Sequence, residues 1–546
     1  MADLFITSDW FKRSEAAAIP GSRWSEEAGG WVVEEDSLTP YDKNVIMALF
    51  PDIGAKLDFD NPENLRPADL ATPWRFGVPR EGVLPSVKPD LLGKLHEYQV
   101  TDLGFLAARM AQDGGAYLGW DRGLGKTVGA IALAQQLRAQ RVVVVCPNSA
   151  KELTWRPEFT KWYPHAEVFN FAGPPAMRER RLQAWIRLDS PMSVLLIHYE
   201  GLRLVKAPAL KSDMVIVDEA HRLANGAARG SKVPKFYRTL RGVNTKHKLA
   251  MSGSVMNNEI DDMFGALHFI LPKVYVSKYK DWVDRFVHHV PGTYSRRVPI
   301  GIKRDKVEEL RNELATFMCV RHKEDELDMP ELIEEFVTVQ LTPTQRKVYD
   351  DLVEEWVAKL PDGDVLVADG VLSMLTKLRQ VAAGLDLFGD VKDSVKLDYV
   401  TDAVMDNAPN KTVVFTWHKA TAEAGARNVA AHGGNPVVVH GDVPMKRRYE
   451  LIEQFRDDPE CTALFATIKT LGESVNLQFA SDVIFVESSW VPTDMQQARD
   501  RVYRQGQQHR VHVTHLIAED TVDDLRVLPR VRSKAAMRQL VLGGRA

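Results

Sequence analysis

Seven short runs in this 546-residue chain are almost unbrokenly apolar. They are RVVVVCP (141–147), SVLLIHY (193–199) and DMVIVDEAH (213–221), then KTVVFTW (411–417), PVVVHG (436–441), CTALFAT (461–467) and SDVIFVE (481–487). A strand with one wet face alternates apolar and polar residues. A strand apolar at every position must be covered on both faces, as in a parallel sheet between two layers of helices. Helical stretches separate the runs, such as KTVGAIALAQQLRAQ (126–140), where Val128, Ile131 and Ala132 fall at helical spacing. The expected fold class is therefore α/β: two lobes, each a parallel sheet with helices on both faces, flanking a cleft.

The texture changes outside these two sets. Residues 272–395 are charged and mostly helical in pattern, with a basic, hairpin-like piece GTYSRRVPIGIKR (292–304). Residues 1–90 are rich in Trp, Pro and acidic residues, and IPGSRWSEEAGGWVVEED (19–36) reads as short strands around a Gly-Gly turn, so a small α+β module is expected there. The expected organisation is an accessory module at 1–90, a first lobe at 91–275, a helical insertion at 276–392, a second lobe at 393–525 and a basic tail at 526–546. No apolar run approaches the roughly 20 residues of a membrane span, and MADLFITSDWFKRSE has no signal-peptide core, so a cytoplasmic location is expected. Cys146, Cys319 and Cys461 lie far apart, which fits core thiols better than a disulfide framework or a zinc site. A net charge of −4 leaves any nucleic-acid role to local basic patches.

The chemistry is concentrated at two strand ends. In AYLGWDRGLGKT (116–127) a strand ends, a Gly-rich turn follows and a helix begins near Lys126. Backbone N–H groups from Gly123, Leu124 and Gly125 to Thr127 are placed to cradle a phosphate at a helix N-terminus. Lys126 would pair with the β/γ-phosphates and Thr127 would ligate magnesium. Trp120 stands where the usual motif asks for its first glycine. Asp218 and Glu219 end a second apolar run, at the carboxyl edge where open α/β sheets bind ligands. Asp218 would hold Mg²⁺, and Glu219 would orient and deprotonate an attacking water. ATP and Mg²⁺ are the expected ligands.

The ordered set of motifs resembles the Swi/Snf-type branch of the superfamily II helicase-like ATPases, a family built on two RecA-like lobes around an ATP cleft. LHEYQ (95–99) resembles its adenine-side motif, which implies ATP contact by Gln99. WDRGLGKT (120–127) resembles D-E-M-G-L-G-K-T, in which the first loop glycine is absent. VVVVCPNSAKELTWRPEFTKW (142–162) resembles the strand and helix that track one DNA strand, implying contacts from Pro147 and Asn148. DEAHRLAN (218–225) and LAMSGSVMNN (249–258) resemble the motifs that link hydrolysis to movement, implying coupling roles for His221, Ser252, Gly253 and Ser254. FATIKTLGESVNL (465–477) resembles the motif where DNA contact meets ATP contact, implying DNA contact by Lys469 and coupling by Gly472. QARDRVYRQGQ (497–507) is the most specific match and implies coupling roles for Gln497 and Asp500.

In that last motif Arg501 and Arg504 are three apart and are expected to share one helical face. Guanidinium groups supplied by the second lobe would stabilise charge on a transferring phosphoryl group, as arginine fingers do. The family likeness implies a DNA-dependent ATPase, a monomer, that moves on duplex or forked DNA without sequence preference. The IKTLG and YRQGQ stretches look most like the compact annealing-helicase subgroup, and a bacterial or bacteriophage origin is expected. Within IPGSRWSEEAGGWVV (19–33), similar to that subgroup's HepA-related module, Trp24 is a candidate for stacking on unpaired bases. Arg296 and Arg297 are candidate phosphate contacts, and the 525–546 stretch has six basic residues and no acidic one. Two other readings stand beside this one. A strand-separating DEAH-type helicase on DNA or RNA is the first, and a nucleotide-switched binding subunit without productive turnover is the second.

Overall fold

In a computed structural model the described residues are 3–6, 23–25, 30–34, 84–224, 233–256, 260–275, 279–290, 298–355, 357–359, 365–367, 371–388, 393–471, 475–528, 531, 534–535, 538 and 541–542. Contacts divide the chain into two compact units, Asn61–Asp328 with Ala535–Ala546, and Met1–Asp60 with Met329–Lys534. The amino-terminal strands β1 (Asp3–Ile6), β2 (Arg23–Ser25) and β3 (Gly30–Glu34) form an antiparallel sheet in the order β1-β3-β2. In it Trp24 lies opposite Trp31 in the backbone register.

The first lobe is built on β4 (Gly115–Trp120), β5 (Arg141–Cys146), β6 (Ala166–Asn170), β7 (Met192–His198), β8 (Ser212–Asp218) and β9 (Thr245–Met251). After these, β10 (Val287–Val290) and β11 (Val298–Ile302) make a separate antiparallel hairpin. Of the piece expected to be hairpin-like, 292–304, the described part supplies β11, while β10 precedes it in sequence; Arg296 and Arg297 lie outside the described residues. The strand β12 (Met318–Arg321) then returns to pair with β4. The complete sheet has seven parallel strands in the order β12-β4-β9-β8-β5-β7-β6.

The second lobe begins with β13 (Leu332–Val339), followed by the small hairpin of β14 (Val357–Lys359) and β15 (Val365–Val367). Its remaining strands are β16 (Thr412–Thr416), β17 (Val437–Val439), β18 (Ala463–Thr467), β19 (Asp482–Phe485) and β20 (Val511–Ala518). They form a six-stranded parallel sheet in the order β13-β20-β19-β16-β18-β17.

Both sheets are covered on two faces, as the apolar runs require. Tyr117, Val143, Val145, Ile197 and Val215 belong to one core of the first lobe, while their neighbours Leu118, Val142, Val144, Leu196 and Ile216 belong to the other. Val413 and Phe415 face one core of the second lobe, and Val414 and Ile484 face its opposite side. The three cysteines are buried and free. Among the described residues no helix is long and apolar enough to cross a membrane.

The stretch expected as a helical insertion differs from that expectation, because it contributes an edge strand to each sheet. Met318–Arg321 is only four residues long, and Leu332–Val339 carries Glu334 and Glu335 side by side. Neither has the long apolar signature that revealed the central strands. An edge strand buries less side-chain surface, so its sequence is less constrained.

Candidate nucleotide site

The turn after β4 leads into the helix Lys126–Gln136. Gly123 (φ 92°) and Gly125 (φ 79°) have left-handed backbones that a side chain would strain. A Cβ on Gly125 would also lie 2.6 Å from the Gln99 amide nitrogen. Two residues of the helix Glu97–Asp113 hold the loop from behind: the Tyr98 hydroxyl and Gln99 Nε2 donate to the Leu124 carbonyl at 3.0 and 2.9 Å. Gln99 Oε1 accepts the His96 N–H at 2.9 Å. Gln99 is therefore placed as a buttress of the phosphate loop, with its carboxamide engaged by protein at both ends.

The Trp120 puzzle resolves by direction. Its side chain is fully buried in the core below the loop, and its Cζ3 lies 3.1 Å from where a Cβ on Gly129 would stand. The indole N–H donates to Asp102 Oδ2 at 2.8 Å, and Arg321 grips the same carboxylate at 2.6 Å. The tryptophan thus fills space under the helix and leaves the phosphate side to backbone. Lys126 Nζ donates to the carbonyls of Trp120 and Asp121 at 2.9 and 3.0 Å, across the loop mouth. Burial lowers the Lys126 pKa, while the charge of Glu219 acts in the other direction.

Asp218 is the last residue of β8, and Glu219 follows in a left-handed conformation (φ 52°, ψ 51°). A non-glycine residue held there stores strain, and such strain clusters at functional sites. Tyr199 supplies the restraint: its hydroxyl donates to the Asp218 carbonyl at 2.5 Å and the Glu219 carbonyl at 3.1 Å. The Asp218 carboxylate accepts the Glu219 N–H at 2.9 Å and the Trp155 indole N–H at 3.0 Å. Burial, then the neighbouring Glu219 charge, raises the Asp218 pKa. Burial pushes Glu219 up as well, but Arg122 at 3.6 Å and His221 at 3.2 Å outweigh it and keep that carboxyl ionised. An ionised Glu219 is what a water-activating base requires.

From Glu219 a short polar relay leads to the loop after β9. His221 Nδ1 is 3.0 Å from Ser252 Oγ, Ser252 Oγ donates to Glu219 at 3.4 Å, and the Ser254 N–H donates back to Ser252 Oγ at 3.0 Å. A Cβ on Gly253 would lie 3.3 Å from Lys126 Nζ. Lys126, Glu219, His221, Ser252, Gly253 and Ser254 are thereby brought into one neighbourhood. Residues there that were not singled out from sequence include Arg122, Tyr199, Trp155 and Arg538. Tyr199 ends an apolar run, which was its only signal. Arg538 reaches the Gly253 carbonyl at 3.3 Å and lies 3.9 Å from Asp121, while Val541 and Leu542 are buried in the first lobe's core.

Oxygen donors dominate this set: the Thr127 hydroxyl and the Asp218 and Glu219 carboxylates. Among the described residues no group of three or more His, Cys, Asp or Glu is arranged to hold a metal by itself. Such a donor set fits a hard cation that shares its ligands with substrate phosphates, which is how Mg²⁺ is usually bound.

The remaining candidates are divided between the lobes. Asn148 is exposed beside a buried Pro147 in the first lobe, and Lys469 is exposed in the second with its ammonium 4.6 Å over the Trp417 ring. Gln497 lies on the helix Pro492–Arg499 and Asp500 caps it. Here the structure corrects an expectation. The helix stops at Arg499, so Arg501 and Arg504 project from a following turn rather than from one helical face. The Arg501 carbonyl is taken by the Leu477 N–H at 2.9 Å, and both Val502 and Tyr503 are buried. Burial lowers the Arg504 pKa, against the charge of Asp500. Gly472 and the side chain of Trp24 lie outside the described residues.

Residues 98–387 match the SNF2-related domain and residues 395–506 match the helicase conserved C-terminal domain. The DNA annealing helicase and endonuclease ZRANB3 of Bos taurus is 25% identical over 469 residues, covering 84% of this chain and 41% of that protein. Protein CHROMATIN REMODELING 5 of Arabidopsis thaliana is 25% identical over 488 residues, covering 82% of this chain and 27% of that protein. The chain thus spans less than half the length of these relatives. The Sulfolobus solfataricus SWI2/SNF2 ATPase core in complex with dsDNA is 21% identical with a TM-score of 0.38, over 86% of this chain and 99% of that one.

Proposed function

The chain belongs to the SNF2-related family, and from that premise we propose that it is an ATP-driven motor that moves on duplex or forked DNA. The observation that carries this reading is the relay joining Glu219 to His221, Ser252 and Ser254, because it ties the water-activating carboxylate to a second loop in the same lobe. A simple nucleotide switch has no need of such a connection.

The chain's own residues divide the work. The N–H groups of Gly123 to Thr127 bind the phosphates, with the helix Lys126–Gln136 adding its dipole. Lys126 leaves its two carbonyl partners for the β/γ-phosphates. Thr127 and Asp218 would hold Mg²⁺, which supplies charge neutralisation between phosphate oxygens. Glu219 orients water and takes its proton, and His221 and Ser252 hold that carboxylate in place. Arg501 and Arg504 stabilise the charge on the transferring phosphoryl group, so turnover depends on the second lobe. Pro147, Asn148 and Lys469 contact the DNA backbone, with Trp24, Arg296 and Arg297 as further contacts. Gly472, Gln497 and Asp500 couple those contacts to hydrolysis. A role in replication, repair or recombination suits such a motor.

The test is ATP hydrolysis measured without nucleic acid and with duplex, forked or single-stranded DNA or RNA, with Glu219→Gln beside the wild type. Stimulation by duplex or forked DNA that disappears in the variant is the expected result. Stimulation by single strands or RNA alone would replace this reading with a strand-separating helicase, and no stimulated turnover at all with a binding switch.

A further inference from the structure

Two pairs in the first lobe join a fully buried indole to a carboxylate, and they are not alike. Asp102 accepts from Trp120 and is also clamped by Arg321 at 2.6 and 2.9 Å, so its charge is neutralised inside the protein. Asp218 accepts from Trp155 at 3.0 Å and from the Glu219 N–H at 2.9 Å, both uncharged donors. Among the described residues Asp218 makes no ion pair within 4.0 Å. A carboxylate offers about four lone-pair sites. One neutral hydrogen bond on each oxygen fixes the plane of the group and leaves both its charge and its outward lone pairs to a cation.

Local backbone chemistry puts Trp155 where it can do this. Residues Lys151–Trp155 form a π-turn in which the Arg156 N–H bonds to the Lys151 carbonyl, five residues back. Pro157 comes next and has no N–H to continue the ordinary ladder. A π-turn adds one residue to the helix and so rotates the downstream side chains by about 100°, and such turns are frequent at functional sites. Trp155 is fully buried, packed at 6.0 Å against Phe159, with its N–H aimed at a carboxylate 63 positions away in sequence.

We infer that Trp155 is a positioning residue for Asp218, holding that carboxylate in the orientation that binds Mg²⁺ together with nucleotide. The inference rests on the functional reading above. It assigns to the indole N–H the outer-sphere role that supports metal-ligating carboxylates generally, where loss of the partner costs about 10–100-fold in metal affinity.

The experiment compares wild type, Trp155→Phe and Trp185→Phe as full-length proteins. Trp185 is an equally buried indole of the same lobe whose N–H goes to the Ser193 carbonyl at 3.2 Å, so its loss reports the cost of a missing buried indole and its hydrogen bond away from Asp218. ATP binding is measured by calorimetry without DNA, in excess EDTA and across a Mg²⁺ titration. Trp155→Phe is expected to bind ATP in EDTA like wild type and to need about 10-fold more Mg²⁺ to reach tight binding. Trp185→Phe should keep the wild-type Mg²⁺ midpoint. In DNA-stimulated hydrolysis the Trp155→Phe deficit should be recovered by raising Mg²⁺. Should Trp155→Phe not fold, Trp155→His keeps a ring N–H, and its Mg²⁺ midpoint should stay within about 3-fold of wild type. An unchanged midpoint in Trp155→Phe, or equal shifts in both Phe variants, overturns the inference and leaves the motor reading standing. If the wild type itself shows no Mg²⁺-dependent ATP binding, the motor reading fails along with the inference.

Discussion

Each lobe contains a strand running into a helix through a turn, and the two turns have opposite contents. In the first, β4 leads through Gly123 and Gly125 to the helix Lys126–Gln136, and the N–H groups at that helix start face an open loop. In the second, β16 leads through Trp417 and His418 to the helix Lys419–Ala431. There the protein supplies its own anion. Glu487, 1% exposed, accepts the Trp417 and His418 N–H groups at 2.9 and 3.0 Å and the His418 ring at 2.5 Å. Burial would raise the Glu487 pKa, but His418 outweighs it and keeps the carboxyl ionised. A helix N-terminus attracts negative charge whatever its source. Under the proposed function one lobe keeps that place for phosphate; the other has filled it with a side chain. Equivalent architecture therefore does not mean equivalent function.

The sharpest attack on this comparison is Trp120→Gly, which restores the first glycine of the usual loop motif. Since Trp120 is core, the substitution should leave ATP affinity unchanged while costing the first lobe about 3–5 kcal/mol from the cavity and the lost indole hydrogen bond to Asp102, read by calorimetric unfolding. A gain in ATP affinity would show that the tryptophan limits the loop after all. Next comes Lys126→Ala, expected to lower stimulated hydrolysis by about 10²–10³-fold with an unchanged melting temperature. Glu487→Gln should do the reverse: nucleotide binding intact, the second lobe less stable by about 2–3 kcal/mol, because the buried Trp417 and His418 N–H groups and the His418 ring lose their charged partner. If Glu487→Gln instead creates a second nucleotide or sulfate site, the plug would be the sole reason that lobe is inert.

The smallest expected effect concerns acid. Glu334 of β13 pairs with His515 at 2.7 Å and Arg499 at 3.0 Å. Burial acts to raise its pKa, but those partners pull it down to about 2. A depressed carboxyl contributes stability above its unfolded value, lost as pH falls from about 4.3 towards 2. Its side chain is 35% exposed, so screening holds the contribution to about 1 kcal/mol. Glu334→Gln should flatten the acid limb of second-lobe stability by that amount; an unchanged limb would mean the pair contributes nothing there.

What could be read in the chain was what neighbouring residues decide together. Continuous apolar runs showed the central strands, because a strand covered on both faces has no position left for a polar residue. GLGKT and DEAH were legible because a phosphate loop and a strand-end carboxylate pair are each built within a few consecutive residues. Edge strands β12 and β13 were hidden, since an edge needs less apolar surface. The end of the helix before Arg501 was hidden too, because the Leu477 N–H that takes the Arg501 carbonyl comes from 24 positions upstream.

The same division holds at the site. Sequence alone determined that a glycine-rich GLGKT turn and the Asp218–Glu219 carboxylate pair exist, and on which strand ends they stand. Only the tertiary structure decided that Trp120 turns inward to Asp102, that Gln99 braces the loop, that Tyr199 pins a strained Glu219 and that Trp155 reaches Asp218. Each of these depends on the register between strands and on how a helix packs against the sheet. Those contacts are set by the free energy of the whole lobe, so no local stretch of residues contains them.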